Sequence, residues 1–306
     1  MKNSQEQKPR KLVKPGDLYR LGDHRLLCGD ATKQWDVHSL MNGDLIDLLL
    51  TDPPYGVAYV ESKQGFNPVS HDKIIQNDQA QTEEEYELFS RKWLKPLVPF
   101  FSKPNSIYIF NSDKMLFALR RAMEILDIRF SQLLLWVKHQ AVVGRLDYMP
   151  QHELIIYGWK GTHKFLKSKD KSVLYCPKPN KSALHPTMKP ISLLRRLILN
   201  STEIGGVVVD TFGGSGSTLL ACEQTKRKCL TMELDIEYCA TIIMRWEKLT
   251  NNEAIFIKNI YFSKMLNIYF ISSSGLAHFH LHHIIIGEIN FGIGFRFRKS
   301  SCFRNR

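Results

Sequence analysis

The chain has 306 residues, of which 43% are apolar and 24% charged, so it can bury the core of one large α/β domain with attachments. Its formal net charge of +12 favours a polyanionic partner, nucleic acid first, although a scattered surface charge would give the same total. The six cysteines include no C-x-x-C pair and no zinc spacing, which argues against a structural zinc site. The polar residues 1–14, and the lack of a long uncharged apolar run before the C-terminal tail, predict a cytoplasmic protein without a membrane partner.

Strands and helices are predicted to alternate along most of the chain. Residues 1–15 are expected to be a disordered basic N-terminus, residues 17–30 have the pattern of a hairpin, and residues 57–78 are expected to form a loop. Strands are predicted at residues 45–51, 106–110, 132–137, 153–159, 206–210 and 228–233, and helices at residues 82–97, 113–126, 190–200, 219–226 and 236–249. This alternation predicts an α/β fold with a parallel, doubly wound sheet.

Two segments do not follow this alternation. Residues 160–182 are rich in lysine and have no clear period. Residues 259–306 carry four of the eleven histidines and six basic residues against one acidic residue, and we expect this tail to lie outside the fold or to form a small added hairpin. Its histidines are His278, His280, His282 and His283. No carboxylate or cysteine accompanies them at ligand spacing, so no metal site is expected.

The first chemical motif is Asp52-Pro53-Pro54-Tyr55, which follows the apolar run 45–51. Open α/β sheets bind their ligands at such strand ends. The two prolines stiffen the turn and fix the carbonyl of Pro53, while Asp52 supplies a charged acceptor and Tyr55 an aromatic face. This combination fits an amino group on a planar base. The alternative is a turn in which the prolines merely end the strand and Asp52 caps it.

A glycine-rich loop follows the predicted strand 206–210. Gly213, Gly214 and Gly216 allow the backbone to approach a ligand, and Ser215 and Thr218 can donate hydrogen bonds. The loop is not a P-loop, because no lysine follows its last glycine. Glu233 ends the next predicted strand, where an acidic group can bind ribose hydroxyls. Together these features predict a nucleoside-binding site, with a tight strand-to-helix turn as the alternative.

Two further motifs are weak when taken alone. Residues 185–190 read HPTMKP and precede a predicted helix, where Lys189 could bind a carboxylate. Asp30 ends the early hairpin and could accept a hydrogen bond from the amino group of an adenine ring. A solvated turn is the alternative for Asp30.

Together the motifs resemble those of the β-class amino-methylating DNA methyltransferases. Residues 52–55 match the catalytic D-P-P-Y of that family, residues 210–218 resemble its D-x-F-x-G-S-G-x-T cofactor loop, and residues 185–190 resemble its H-P-T-x-K-P element. The catalytic motif precedes the cofactor motif, which is the circularly permuted order that defines the β class. The resemblance covers residues 16–258, the expected methyltransferase domain.

The resemblance implies the class I S-adenosylmethionine-dependent methyltransferase fold, a seven-stranded, mostly parallel sheet with helices on both faces. It assigns catalysis to Asp52, Pro53, Pro54 and Tyr55. It assigns binding of S-adenosyl-L-methionine to Asp30, Lys189, Asp210, Phe212, Gly214, Ser215, Gly216, Thr218 and Glu233, with no metal required. It also makes residues 160–184 the candidate target-recognition insertion, whose lysines would contact DNA phosphates.

The implied reaction is methyl transfer to the N6 amino group of adenine in double-stranded DNA, after the base is flipped out of the helix. Cytosine N4 is the alternative target, because the same motif serves both amino groups; the N4 enzymes more often have serine where this chain has Asp52. Methylation at cytosine C5 is rejected, because the chain contains no Pro-Cys dipeptide. An alternative of another class is a non-catalytic DNA-binding relic. The resemblance leaves open a homodimer and a cognate restriction endonuclease.

Overall fold

A computed structural model describes residues 12–56, 80–141, 147–167, 169–177 and 188–264. The loop expected at residues 57–78, the last part of the expected recognition insertion and the four histidines of the tail lie outside these ranges. The chain divides into a unit Met1–Ile260 and a second unit Tyr261–Arg306. The first unit contains all the strands and helices named below.

The strands include all of those that the sequence predicts. The early hairpin is formed by β1 (Asp17–Leu21) and β2 (His24–Cys28), which pair antiparallel. The other strands are β3 (Ile46–Thr51), β4 (Phe101–Asn111), β5 (Arg129–Val137), β6 (His152–Trp159), β7 (Val173–Tyr175), β8 (Val207–Asp210), β9 (Lys228–Glu233) and β10 (Ile255–Asn259). The bounds of β9 are the same as those predicted.

The ten strands of the described residues form one sheet in the order β10-β1-β2-β9-β8-β3-β4-β6-β5-β7. The seven strands from β2 to β5 in this order are the expected seven-stranded sheet, and within them only β6 runs antiparallel to its neighbours. Strands β1 and β10 extend one edge of the sheet and β7 extends the other. The expected fold class is therefore confirmed, with three strands added to the seven.

Six α-helices connect the strands in the part of the chain that the structure describes. They are α1 (Gln34–Met41), α2 (Glu83–Leu94), α3 (Leu116–Ile125), α4 (Ile191–Ser201), α5 (Ser217–Thr225) and α6 (Ile236–Thr250). Helix α2 begins with the capping box expected at Thr82: the Thr82 hydroxyl accepts from the backbone of Glu85, and the Glu85 carboxylate accepts from the backbone of Thr82. None of the described helices is long and apolar enough to cross a bilayer.

The core lies on both faces of the central strands. Leu48, Leu49 and Leu50 of β3 are all fully buried, as expected for a strand covered on both sides. Successive side chains of a strand point to opposite faces. Leu48 and Leu50 pack in one cluster with side chains of α4, α5 and α6. Because β3 and β8 are neighbours deep in the sheet, the residues that follow them are held in fixed positions relative to each other.

The lysine-rich segment begins at the edge of the sheet opposite the one that carries Asp52. Strand β6 runs antiparallel to β4, so its last residue, Trp159, lies at the edge where β3 and β4 begin. The Lys160 ammonium donates to the carbonyl of Leu126, and the Lys164 backbone donates to Asn105 in the first half of β4. The role of residues 160–184 in recognising DNA stays a prediction. Strand β7 returns the chain toward the edge that carries Asp52, because it runs parallel to β5.

Three elements were not predicted: α1, β7 and β10. The first has little separation of polar and apolar faces, the second has only three residues, and the third pairs with β1 across more than 230 residues of sequence. Strand β10 ends at Asn259 and Ile260 is buried, two residues beyond the boundary set from the sequence. Val13, within the segment expected to be disordered, is also buried.

Candidate active site

Two strand ends meet at the carboxyl edge of the sheet. Strands β3 and β8 pair in parallel at Leu48–Val208 and Leu49–Val209, so Asp52 and Asp210 lie at the same edge. The Thr51 hydroxyl donates to Asp210 Oδ1 at 2.8 Å. One cleft, open to solvent, is lined by residues of both motifs, including Asp52, Lys189 and Gly214. Motifs separated by more than 150 residues of sequence therefore line one site.

The Asp52 carboxylate is held by two side chains. The Tyr55 hydroxyl donates to Asp52 Oδ1 at 2.6 Å, and the Lys189 ammonium forms an ion pair with Asp52 Oδ2. The Lys189 Nζ atom lies 4.9 Å from the centroid of the Phe110 ring and 5.8 Å from that of the Tyr55 ring. Pro53 is buried beneath this arrangement. Both oxygens of Asp52 are thus engaged by neighbours within the chain.

Two residues that the sequence analysis did not single out complete this cluster. Glu153 Oε2 lies 3.2 Å from Lys189 Nζ, and Glu153 Oε1 lies 2.8 Å from Lys138 Nζ. Lys138 directly follows the end of β5 and Glu153 lies near the start of β6, and the two meet because the antiparallel β6 begins at the edge where β4 and β5 end. A carboxylate at the start of an otherwise apolar strand was the available signal. These contacts join five residues into the Asp52 cluster: Asp52, Tyr55, Lys138, Glu153 and Lys189.

Burial and charge act against each other in the Asp52 cluster. Burial raises the pKa of Asp52 above its usual value, against the opposing charge of Lys189. Burial alone would lower the pKa of Lys189, but the carboxylates of Asp52 and Glu153 raise it. Burial also disfavours ionised Glu153, yet the ammonium groups of Lys189 and Lys138 lower its pKa to about 2. We infer that Lys189 and Glu153 are both charged at neutral pH.

The glycine-rich loop is held in place by hydrogen bonds from its backbone N–H groups to β9. The Gly214 N–H donates to Glu233 Oε2 at 2.7 Å, and the Gly213 N–H donates to the carbonyl of Met232 at 2.8 Å. Gly216 has a φ of +83°, and a Cβ atom there would lie 2.9 Å from Ile242. Only glycine fits this position without strain, because the conformation is left-handed and the space is filled.

The remaining predicted loop residues occupy three environments. The Phe212 ring packs edge-on against Trp93 with centroids 5.4 Å apart, and its side chain also lines the cleft. Ser215 is buried, and its hydroxyl accepts from Arg245 of α6 at 2.9 Å. Thr218 is buried at the start of α5, and its hydrogen bond to Asp210 favours the ionised form of that carboxyl.

Asp30 and Glu233 end neighbouring strands. Cys28 of β2 pairs with Glu233 of β9, and the Gly29 N–H donates to the Glu233 carbonyl at 3.0 Å. The Asp30 carboxylate accepts from the backbone and hydroxyl of Thr32 at 2.9 and 2.7 Å. The structure thus places Asp30 and Glu233 at the same edge of the sheet as the glycine-rich loop.

Asp210 and Glu233, the two acids beside the glycine-rich loop, have neutral donors as partners. Burial raises the pKa of Asp210 to about 6 and that of Glu233 to about 7, while hydrogen bonds from hydroxyl and backbone groups oppose the shift. No ion pair involves either carboxylate in the part of the chain that the structure describes. Asp210, which lines the cleft, and Glu233, which contacts the backbone of Gly214, are therefore available to a ligand that carries hydroxyl groups or positive charge. Among the described residues, no group of His, Cys, Asp and Glu is arranged to hold a metal ion.

The comparisons with known proteins agree with this arrangement. The model of a family described as DNA methylase matches residues 46–244, which is more than half of the chain. The type II methyltransferase M.HpaI of Haemophilus parainfluenzae is 27% identical over 245 residues, covering 71% of this chain and 72% of that protein. The type II methyltransferase M2.DpnII of Streptococcus pneumoniae is 27% identical over 221 residues, covering 65% and 82%.

Solved structures share the fold. The M1.HpyAVI–SAM complex has a TM-score of 0.53 at 23% identity and covers 72% of this chain and 98% of that one. The cytosine-N4-specific PvuII DNA methyltransferase has a TM-score of 0.57 at 19% identity and covers 82% and 92%. Because a family model matches most of the sheet and both motifs of the cleft, the chain belongs to the DNA methylase family, the amino-methylating DNA methyltransferases.

Proposed function

We propose that the protein transfers a methyl group from S-adenosyl-L-methionine to the N6 amino group of adenine in double-stranded DNA. The observation that carries this proposal is the position of Asp52-Pro53-Pro54-Tyr55 at the end of β3, in the same cleft as the glycine-rich loop after β8. Methyl donor and acceptor must meet within bonding distance, and adjacent parallel strand ends provide such a meeting point.

The donor set of the cleft fits S-adenosyl-L-methionine. Asp210 and Glu233 lack cationic partners among the described residues, so they can receive ribose hydroxyls and offset the positive charge of a sulfonium. Phe212 offers an apolar face, and Gly214 lines the cleft with backbone rather than side chain. When bound, this molecule supplies an electrophilic methyl group. Asp30, Ser215, Gly216 and Thr218 complete the proposed set, and no metal is needed.

Asp52 prepares the amino group for attack. The nitrogen of the target amino group is a poor nucleophile, because its lone pair is delocalised into the base. The Asp52 carboxylate and the carbonyl of Pro53 accept its two N–H groups, which increases electron density on nitrogen and favours the tetrahedral geometry of the reaction. Pro54 keeps the turn rigid, and Tyr55 stacks on the flipped base, a contact worth roughly 1–3 kcal/mol per base. No covalent intermediate with the protein forms.

Adenine is preferred over cytosine as the target because of the residue at the first position of the motif. This chain has Asp52, whereas the N4 enzymes of the resembling family more often have serine there. The basic net charge of +12 supports binding to the DNA backbone. Type II relatives make a cognate restriction endonuclease the protein partner to look for.

The test uses purified protein, isotope-labelled S-adenosyl-L-methionine and mixed-sequence duplex DNA, followed by mass spectrometry of the digested nucleosides. We expect labelled N6-methyladenine. Labelled N4-methylcytosine would keep the family and overturn the choice of base. Binding of the donor without any methylated base would overturn the proposal and favour a non-catalytic relic.

A further inference from the structure

The Lys189 ammonium occupies the position where the target amino group must bind. This inference rests on the proposed function, which requires Asp52 to accept hydrogen bonds from an exocyclic amino group. In the structure Asp52 Oδ2 is already paired with Lys189 Nζ, and Asp52 Oδ1 accepts from Tyr55. The ammonium also lies 4.9 Å from the ring centroid of Phe110, so a nitrogen donor beside aromatic rings fills the site. An arriving amino group must therefore displace Lys189.

Glu153 offers the displaced ammonium a second carboxylate. Lys189 Nζ lies 3.2 Å from Glu153 Oε2, so a small movement transfers its closest contact from Asp52 to Glu153. Lys189 is only 7% exposed, and an ammonium with no partner at such a position would be costly. Lys138, 5% exposed and 2.8 Å from Glu153 Oε1, holds Glu153 in place by its other oxygen.

The charges of the cluster balance before and after this movement. Asp52 and Glu153 carry two negative charges, and Lys138 and Lys189 carry two positive charges. When a neutral amino group replaces Lys189 at Asp52, both ammonium groups lie on Glu153, and Asp52 remains an ionised acceptor. No proton has to enter or leave the buried site for the exchange to take place.

We propose that Lys189 is a placeholder on Asp52 that the target amino group displaces, and that Glu153 is the positioning residue that receives the displaced ammonium. Glu153 acts through Lys189 and does not touch the base. Without the Glu153 charge, Lys189 has Asp52 as its only carboxylate partner in the cluster and stays there. The target base then competes with the Lys189 side chain for Asp52.

The first experiment compares Glu153→Gln with the wild type. We expect kcat for DNA methylation to fall by roughly 10²-fold, because the Lys189 ammonium that leaves Asp52 would then have no carboxylate to pair with in a buried site. Affinity for S-adenosyl-L-methionine by calorimetry should stay unchanged. Glu153→Asp, which keeps the charge, should restore part of the rate. The matched control is Glu124→Gln, which breaks the exposed pair with Arg120 and should leave kcat unchanged.

Two pH profiles separate positioning from a merely structural role. The Glu153 charge adds to the effect of burial on Asp52, so Glu153→Gln should move the acid limb of the kcat profile to lower pH. Lys189→Met removes the opposing charge and should move the same limb to higher pH. Equal shifts in both variants, or none in either, would overturn the proposal.

A double-mutant cycle decides whether Glu153 acts through Lys189. In the Lys189→Met background, adding Glu153→Gln should lower the plateau kcat little further, because no ammonium has to move from Asp52 to Glu153. In the Lys189→Met protein itself, Glu153 still pairs with Lys138. Additive losses would overturn the proposal, and so would a Glu153→Gln protein of normal rate. If the wild type methylates no base, the proposed function fails instead. A 2-aminopurine placed next to the identified target adenine adds a readout without turnover: its fluorescence rises when the target adenine leaves the base stack, and it should rise less on binding Glu153→Gln than on binding the wild type.

Discussion

The two halves of the cleft hold their carboxylates in different ways. In the half that contains Asp52, after the end of β3, and Glu153, near the start of β6, the carboxylates are held by the ammonium groups of Lys189 and Lys138. At the ends of β8 and β9, Asp210 and Glu233 are held by hydroxyl and backbone N–H groups. The pKa of Glu153 is accordingly lowered to about 2, whereas that of Glu233 is raised to about 7.

This difference corresponds to the two tasks that we propose. A site that exchanges one hydrogen-bonding partner for another needs mobile side-chain charges with a second partner nearby. A site that binds a nucleoside needs a fixed shape, which backbone groups and glycines provide. The half at β3 should therefore be sensitive to changes of charge, and the half at β8 should be sensitive to added side-chain volume.

The largest expected effect comes from removing the acceptor. Asp52→Ala should lower the methylation rate by roughly 10²–10³-fold, the order found when a charge-stabilising group is deleted from an active site. Donor affinity should stay unchanged, because Asp52 is held by side chains outside the glycine-rich loop. Labelled methyl transfer and calorimetry measure the two quantities. Asp113→Ala, at an exposed position, is the control and should leave the rate unchanged. If Asp52→Ala methylates DNA at nearly the wild-type rate, Asp52 has no part in the mechanism.

A smaller effect is expected from adding one methyl group to the loop. Gly216→Ala should weaken donor binding by roughly tenfold, or about 1.4 kcal/mol, because its Cβ would lie 2.9 Å from Ile242 and shift the loop. The variant should also lose about 1–2 kcal/mol of stability from its left-handed conformation alone.

Gly161→Ala is the matched control for Gly216→Ala. Its φ is +70°, but no atom lies within 4 Å of the added Cβ. It should therefore lose stability by a similar amount and keep full donor affinity. If both variants bind the donor equally well in calorimetry, the filled space around Gly216 does not shape the binding site.

The next prediction concerns pH. Because burial raises the pKa of Glu233 from its usual 4.5 to about 7, the folded chain holds a proton there that the unfolded chain has lost. The free energy of unfolding should fall as pH rises from about 4.5 to about 7, and the contribution of the protonated group is fully present only below 4.5. Glu233→Gln should flatten this part of the profile in chemical denaturation. An unchanged slope would mean that Glu233 titrates normally.

The smallest effect is expected at the opposite edge of the sheet. Lys164 pairs with the exposed Glu203 and lies beside the beginning half of β4. Lys164→Ala should change DNA affinity by less than about twofold, because an exposed ion pair contributes roughly 0–1 kcal/mol and the site faces away from the cleft. Fluorescence anisotropy at low salt gives the affinity. A large loss of DNA affinity would show that Lys164 contacts DNA.

The sequence predicted what short-range patterns encode. The apolar run before Asp52, the capping box at Thr82 and the strand–glycine–helix unit around Gly214 are each local, and each lies where it was predicted. The family resemblance assigned Asp52 to catalysis and Asp210 to the cofactor, and the structure places these two residues at the ends of neighbouring strands.

Long-range pairing could not be read in this way. The antiparallel direction of β6 brings Glu153 and Lys138 to Asp52 and carries Lys160 to the other edge. Nothing in the local pattern of residues 153–159 distinguishes one strand direction from the other. The family resemblance assigned Lys189 to the cofactor, and in the structure its ammonium contacts Asp52. This contact could not be predicted from the sequence, because it depends on how the folded sheet brings the two side chains together.

The most direct test measures donor binding and single-turnover methyl transfer side by side for Asp52→Ala and Gly216→Ala. We expect opposite results for the two variants: Asp52→Ala binds S-adenosyl-L-methionine normally and transfers almost no methyl group, whereas Gly216→Ala binds the donor weakly and transfers at a near-normal rate when saturated with it. If Asp52→Ala loses donor binding as well, or if saturating donor does not restore Gly216→Ala, then the two halves of the cleft do not divide catalysis and binding as proposed.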